Sequence, residues 1–322
     1  MPADHLIVTS PYGLAAGVLA VLAGADLEVT AANSALDPID LDEAVEVFQA
    51  AGLAALERSA EHACYQVRVQ FPDWSAAEAV GATGLGPRLD RLQASGEIEG
   101  WWFLRKYPCW RLRLPGADRG AVDRVLDELT DTGVVARWWP TVYEPETAAF
   151  GGAAGMDVAH DLFCADSRGV LDYVRHDAPG LGRRELSILL LGGLLRAAGL
   201  DVFECGDVFD RVARLRPTPA EADAARIERL AQNVRALLSI PDLPTSELFT
   251  SGGPVEHAAP WLAAFQTAGR RLDDAAARGG LDRGVRAIMT HVLIFHWNRF
   301  GLSAASQGIL ARAATTALLP RS

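Results

Sequence analysis

The sequence predicts an α+β protein: a ferredoxin-like split βαβ antiparallel sheet followed by a mostly helical half, with a small N-terminal helical module. Three observations predict it. Between residues 64 and 142, short runs alternating apolar and polar residues are interleaved with two helical runs in the order β-α-β-β-α-β. Beyond Gly151-Gly152 the remaining periodic segments read as helices. Residues 1–57 hold nine acids and no Lys or Arg, whereas the other 32 acids and 30 bases nearly cancel, so the front of the chain is a compositionally separate unit. The implied division is a helix-turn-helix-like module over 1–60, suited to packing or to docking a peptide, and a larger domain over 61–322. The larger domain has an α+β part over 61–150 and a helical part over 151–322.

In the module, a helix over about 13–24 ends at Gly24, a short one follows near 29–36, and a third runs from Asp40 to Glu57 behind the Asp37-Pro38 turn. Cys64–Phe71 is the first strand, with Tyr65, Val67, Val69 and Phe71 on one face. Ser75 is expected to cap a helical segment that breaks near Gly84–Pro87 and resumes to Ala94. Strands over Ile98–Lys106 and Cys109–Leu114 flank the Tyr107-Pro108 turn. Asp118–Thr132 is a helix with Val122, Val125, Leu126 and Leu129 on its apolar face, and Val134–Val142 is a last strand interrupted by Pro140. Helices are then expected over 156–165, 168–176, 183–198, 206–214, 219–238, 256–278 and 284–298, with a short one to Leu318. The one rich in Leu186, Leu189, Leu190, Leu194 and Leu195 is apolar all round and therefore central. The Pro-, Ser- and Gly-rich stretch 239–254 is the long loop.

Composition narrows the function. Hydrophobic content of 50% with 22% charged residues is that of a globular protein. No apolar run reaches the roughly 18–20 residues of a membrane span. The apolar stretch 14–25 has no basic flank of a signal peptide, since Arg58 is the first Lys or Arg, and a cytoplasmic, soluble protein is expected. The acidic front argues against nucleic acid and suits a basic peptide or protein partner. Cys64, Cys109, Cys164 and Cys205 form no C-x-x-C pair, and phosphate-loop, dinucleotide and H-E-x-x-H motifs are missing, so neither a metal nor a cofactor is expected.

Charged residues placed by periodicity give the candidate site. On Cys109–Leu114, Arg111 and Arg113 share one face, and Arg105 lies across the turn on the partner strand; grouped guanidiniums clamp carboxylates or phosphates through planar forks. An exposed face with ordinary surface arginines is the plain alternative. Tyr143, Glu144 and Glu146 follow on an extended segment, where paired carboxylates suit acid–base chemistry or salt bridges to such arginines. Asp166-Ser167 reads as the N-cap of a following helix as well as a site. His296, Asn298 and Arg299 close an apolar helix, where polar groups can face a cleft; His160 is a further candidate.

The ordered series Trp102 to Arg105, Trp110 to Arg113, Tyr143 to Glu146, Phe150 to Gly152, Asp166-Ser167 and His296 to Arg299 resembles the C-terminal domain of lantibiotic dehydratases. It also resembles the stand-alone "thiopeptide-type bacteriocin biosynthesis" proteins built on that domain. The resemblance spans roughly residues 62–320. It implies a lyase of ribosomal-peptide (bacteriocin, lanthipeptide or thiopeptide) biosynthesis that eliminates glutamate from glutamylated Ser or Thr of a precursor peptide, leader plus core, with a separate glutamylating subunit. Under it, Arg111, Arg113 and Arg105 would hold the leaving glutamyl carboxylates. His296 would move the α-proton or protonate the departing carboxylate, and Glu144 or Glu146 would orient an arginine or an amide. Arg299, Asn298, Tyr143, Asp166 and Ser167 would bind substrate. One departure stands out: where the family pattern has Arg-Tyr-Gly-Gly, this chain has Ala149-Phe150-Gly151-Gly152. The alternative implied by stand-alone relatives is a pyridine synthase, which joins two dehydroalanines in a formal [4+2] cycloaddition and expels the leader. A second alternative is a non-catalytic peptide-binding subunit.

Overall fold

Alternation of buried and exposed side chains along residues 64–141 builds a sheet, and helical periodicity builds the rest. The computed structural model describes residues 11–176 and 180–319, so residues 1–10 of the expected module lie outside the described residues. Contacts divide the chain into two units, Met1–Ala63 and Cys64–Ser322.

The first unit contains α1 (Pro11–Leu22), α2 (Leu27–Ser34) and α3 (Pro38–Ala63) around a small core of Val18, Ala31, Leu41 and Val45. Asp26 caps α2 by accepting from the Val29 N–H at 3.0 Å, and Asp37 accepts from Ile39 at 2.8 Å ahead of α3.

The second unit opens with β1 (Cys64–Gln70), α4 (Ala77–Val80) and α5 (Gly86–Ala94). Next come β2 (Trp102–Lys106), β3 (Cys109–Pro115), α6 (Arg119–Asp131) and β4 (Arg137–Thr141). The four strands form one sheet in the order β2-β3-β1-β4, all neighbours antiparallel. Pro140 is tolerated because β4 is an edge strand. Between α4 and α5 the expected break is instead a π-helical turn, Gly81–Leu85. A Cβ at Gly81 would lie 2.5 Å from the Trp110 ring, so the wider turn and the missing side chain together admit the indole. Ser75 caps no helix; its hydroxyl and N–H bond to Asp73 instead.

One sheet face carries Val67, Val69, Leu112 and Trp110 against α5 and α6, whose Leu89, Leu92, Leu126 and Leu129 are buried with them. Tyr65 and Trp138 donate from this side to Asp123 and Asp127 of α6 at 2.8 and 3.0 Å. The helical part follows Gly151 and Gly152, whose φ angles of 82° and 89° turn the chain into α7 (Ala153–Arg175). The series α8 (Arg183–Ala197), α9 (Val202–Leu215) and α10 (Ala224–Leu238) leads into the long loop. It ends with α11 (Ala259–Ala277), α12 (Val285–Arg299) and α13 (Ala304–Leu318). Leu186, Ile188 to Leu191, Leu194 and Leu195 make α8 buried on every side, as its composition requires. Gly269 lets α11 cross it closely, since a Cβ there would lie 2.4 Å from the Leu194 carbonyl oxygen.

Helix α7 corrects the reading of Asp166-Ser167 as an N-cap. The two expected helices, 156–165 and 168–176, are one, and Asp166 and Ser167 sit in its interior with their side chains buried. Local sequence favours a cap for Asp and Ser, but partners distant in the chain satisfy both side chains here.

Candidate functional site

Strand β2 is the other edge of the sheet, and the backbone of Phe103 points out of it. Its N–H donates to Ser167 Oγ at 3.1 Å and its carbonyl accepts from Arg299 Nε at 3.1 Å, so α7 and α12 close the edge with side chains. Asp166, 1% exposed, pairs with the fully buried Arg299 and with His296 Nδ1 at 2.8 Å, and accepts from Trp261 Nε1 at 3.0 Å. The other nitrogen of His296 lies 3.0 Å from Ser187 Oγ, which also accepts from Trp297 Nε1 at 2.7 Å. Burial would raise the Asp166 carboxyl, but attraction and hydrogen bonds from His296 and Arg299 outweigh it and hold the carboxyl below its ordinary range. His296 and Arg299 therefore do not face a cleft. At 1% and 0% exposure they belong to a buried brace that joins sheet edge to helices. Asn298 is half-buried and accepts from Gln307 at 2.9 Å.

Arg105 also departs from the expected clamp. In the hairpin register Arg105 stands opposite Trp110, whereas Trp102 stands opposite Arg113 and Leu104 opposite Arg111. Directly opposed residues share a face, so Arg105 projects from the face opposite to Arg111 and Arg113. There it pairs with Glu78 of α4, which also holds Arg183 at 2.7 Å. Burial would raise the Glu78 carboxyl, yet these two guanidiniums hold it low.

Arg113 is the centre of what remains. It is 2% exposed, with its guanidinium carbon 4.2 Å from the Trp102 ring centroid and 4.5 Å from that of Tyr143. Its Nε donates to Gln66 Oε1 at 2.7 Å, and Gln66 is itself fixed by donating to Thr141 Oγ1 at 2.8 Å and to the Val142 carbonyl at 2.7 Å. Desolvation lowers the Arg113 pKa to about 10, partly offset by attraction to Tyr143 and Glu146. Tyr143 Oη lies 2.7 Å from His160 Nε2 on α7. Burial drives the Tyr143 hydroxyl pKa up and that of His160 down, so both favour their neutral forms. Glu144 is exposed, while Glu146 is half-buried on the turn that Ala149 closes through its N–H to the Glu146 carbonyl at 2.9 Å.

Two atoms of this cluster stand out. Arg113 Nη1 and Glu146 Oε2 are both buried and neither has a hydrogen-bond partner, although the residues attract each other electrostatically. A buried donor and a buried acceptor left open in one electrostatically coupled cluster suit a group that both accepts and donates, such as a peptide amide. Sequence reasoning missed Gln66, whose only signal is a polar residue on the face that also carries Arg113 one strand away.

Residues 65–318 match the family described as Lantibiotic biosynthesis dehydratase C-term. The chain belongs to that family. Among solved structures it is similar to the tRNA-dependent lantibiotic dehydratase MibB from Microbispora sp. 107891, with 18% identity and a TM-score of 0.59. The alignment covers 80% of this chain and 28% of MibB, so the chain spans well under half of that enzyme. Similar folds occur in TsrL, with 17% identity, a TM-score of 0.54 and coverage of 80% and 99%, and in TbtD, a pyridine synthase from thiomuracin biosynthesis. For TbtD the identity is 13%, the TM-score 0.55 and the coverage 79% of this chain and 97% of that one. At these identities the likeness is one of fold. No curated protein sequence matches the chain. Among the described residues no helix is long and apolar enough to cross a membrane.

Proposed function

We propose that this family member modifies a precursor peptide at the Arg113–Glu146 pair by acid–base chemistry on an amide, of the kind that joins two dehydroalanines in a formal [4+2] cycloaddition. The observation that carries the reading is that Arg113 keeps an open buried donor and Glu146, to which it is attracted, an open buried acceptor. A dehydroalanine must act as the diene through its amide, so the N–H proton has to leave and charge must build on the oxygen. Glu146 would take the proton while Arg113, fixed by Gln66, stabilises the oxygen. A carboxylate ligand would meet Glu146 as a like charge, which disfavours a glutamyl group at this point. The burial of His296, the position of Arg105 and Ala149 in place of the family arginine each remove a group assigned to glutamate elimination.

Incubation with a synthetic peptide carrying two dehydroalanines behind a leader tests this by mass spectrometry. The expected products are water, the leader released as its C-terminal amide, and a core bearing a pyridine chromophore. An unchanged mass there, with glutamate loss from a glutamylated peptide, would overturn the reading.

Glutamate elimination, acting with a separate glutamylating partner, is the second reading. It is favoured by Arg111 lying beside Arg113 on the same face, two residues along β3.

A further inference from the structure

The sheet face that carries Arg113 has a property that periodicity along one strand does not display. Antiparallel register places Arg111 opposite Arg68, Gln66 opposite Arg113, and Gln70 opposite Arg137, while Lys106 stands opposite Cys109. Arg68, Arg111, Arg113, Arg137 and Lys106 thus share one face, and none of the other strand positions on it is Asp or Glu. This occurs in a chain of net charge −11. Arg68 and Arg111 are like charges directly across a strand pair, an arrangement that destabilises a sheet unless something neutralises it. Among the described residues neither side chain forms an ion pair or donates a hydrogen bond, and Arg68 Nε and Arg113 Nη1 are buried without partners. Arg137, exposed at the far strand, donates to Gln70 at 2.7 Å and lies over Trp139.

We infer that this face, beyond the buried Arg113, is a docking surface for an acidic, extended peptide segment, laid along Arg111, Arg68 and Arg137. The inference rests on the peptide-modifying reading above and names the part of the substrate that lies outside the reacting residues. An extended peptide fits the spacing: Arg68 stands opposite Trp139, two residues from Arg137 along β4, and such diagonal positions lie roughly 7–8 Å apart, close to the about 6.7 Å between alternate side chains of an extended chain.

The test uses the whole chain and a fluorescein-labelled decapeptide with Glu at alternate positions separated by Gly and Ser, read by anisotropy. Binding is expected at low salt, weakening as salt rises, with none for the same peptide carrying Gln. Both R68E/R137E and the milder R68Q/R137Q should bind about tenfold or more weakly, with melting curves showing that each remains folded. Equal binding by the Gln peptide or by both variants would overturn the inference. So would a thymidine decanucleotide binding as tightly as the Glu peptide, since the surface would then read phosphate. The probe has no dehydroalanine, so docking is measured without turnover. Intact docking with no cycloaddition would count against the function alone, and cycloaddition without docking against this surface alone.

Discussion

Two buried charged clusters lie on either side of one tryptophan, and they are finished differently. Around Asp166, the carboxylate, His296, Ser187, Trp261 and Trp297 find partners, and only Arg299 Nη2 is left open. Around Arg113, the guanidinium is held on its Nε and lies against two nearly perpendicular rings, yet Nη1 and Glu146 Oε2 stay open. Trp102 touches both: its ring lies 4.2 Å from the Arg113 guanidinium carbon and 5.9 Å from that of Arg299. Charge buried for support is closed by the fold but for one guanidinium nitrogen, whereas in the Arg113 cluster a donor and an acceptor are both left available.

The largest expected effect would break that contrast on the supporting side. Asp166→Ala strands a buried guanidinium and should cost about 3–5 kcal/mol, read from denaturant unfolding; a loss no larger than that of Glu146→Ala would sink the distinction. On the open side, Glu146→Gln should stay folded and lose about 10²–10³-fold in turnover, measured on the peptide carrying two dehydroalanines. Acidification tests the supporting side in another way. Because the folded Asp166 carboxyl is held below its unfolded value, its contribution is complete above about pH 4 and is lost as pH falls through the folded pKa. The acid limb of a stability profile should therefore flatten in Asp166→Asn. The smallest change is Tyr143→Phe, which removes one hydrogen bond to His160 and should cost about 0.5–1.5 kcal/mol in thermal or chemical melts. The stacking ring stays over Arg113, so turnover should fall far less than in Glu146→Gln.

Much of this contrast was written in local pattern, but not its assignment. Period-two alternation on β3 put Arg111 and Arg113 on one face, and Pro140 marked an edge strand, because both effects act within a few residues. Arg105 was grouped with them because its face depends on the register of the Tyr107-Pro108 hairpin, where Trp110 is its partner. Asp166-Ser167 looked like a cap because their actual partners, His296, Arg299 and Phe103, are far away in sequence. The same distance hid His296 and Arg299, polar residues on an apolar helix that serve the core. Gln66 carries no local signal, and its role exists only when β1, β3 and β4 lie side by side.

The brace at Asp166 also sets an order of events during synthesis. Arg299 joins Phe103 across 196 residues and Asp166 across 133, while His296 lies 130 residues beyond Asp166, its hydrogen-bond partner. As the ribosome delivers the chain from its N-terminus, the strands and α7 emerge with an acid at 166 that has no guanidinium and a free edge at Phe103. Both are covered only when α12 arrives. A nascent chain stopped before residue 296 should thus expose β2 to strand addition by a neighbour, which makes the interval between the emergence of α7 and that of α12 the one in which this protein most needs protection from its own copies.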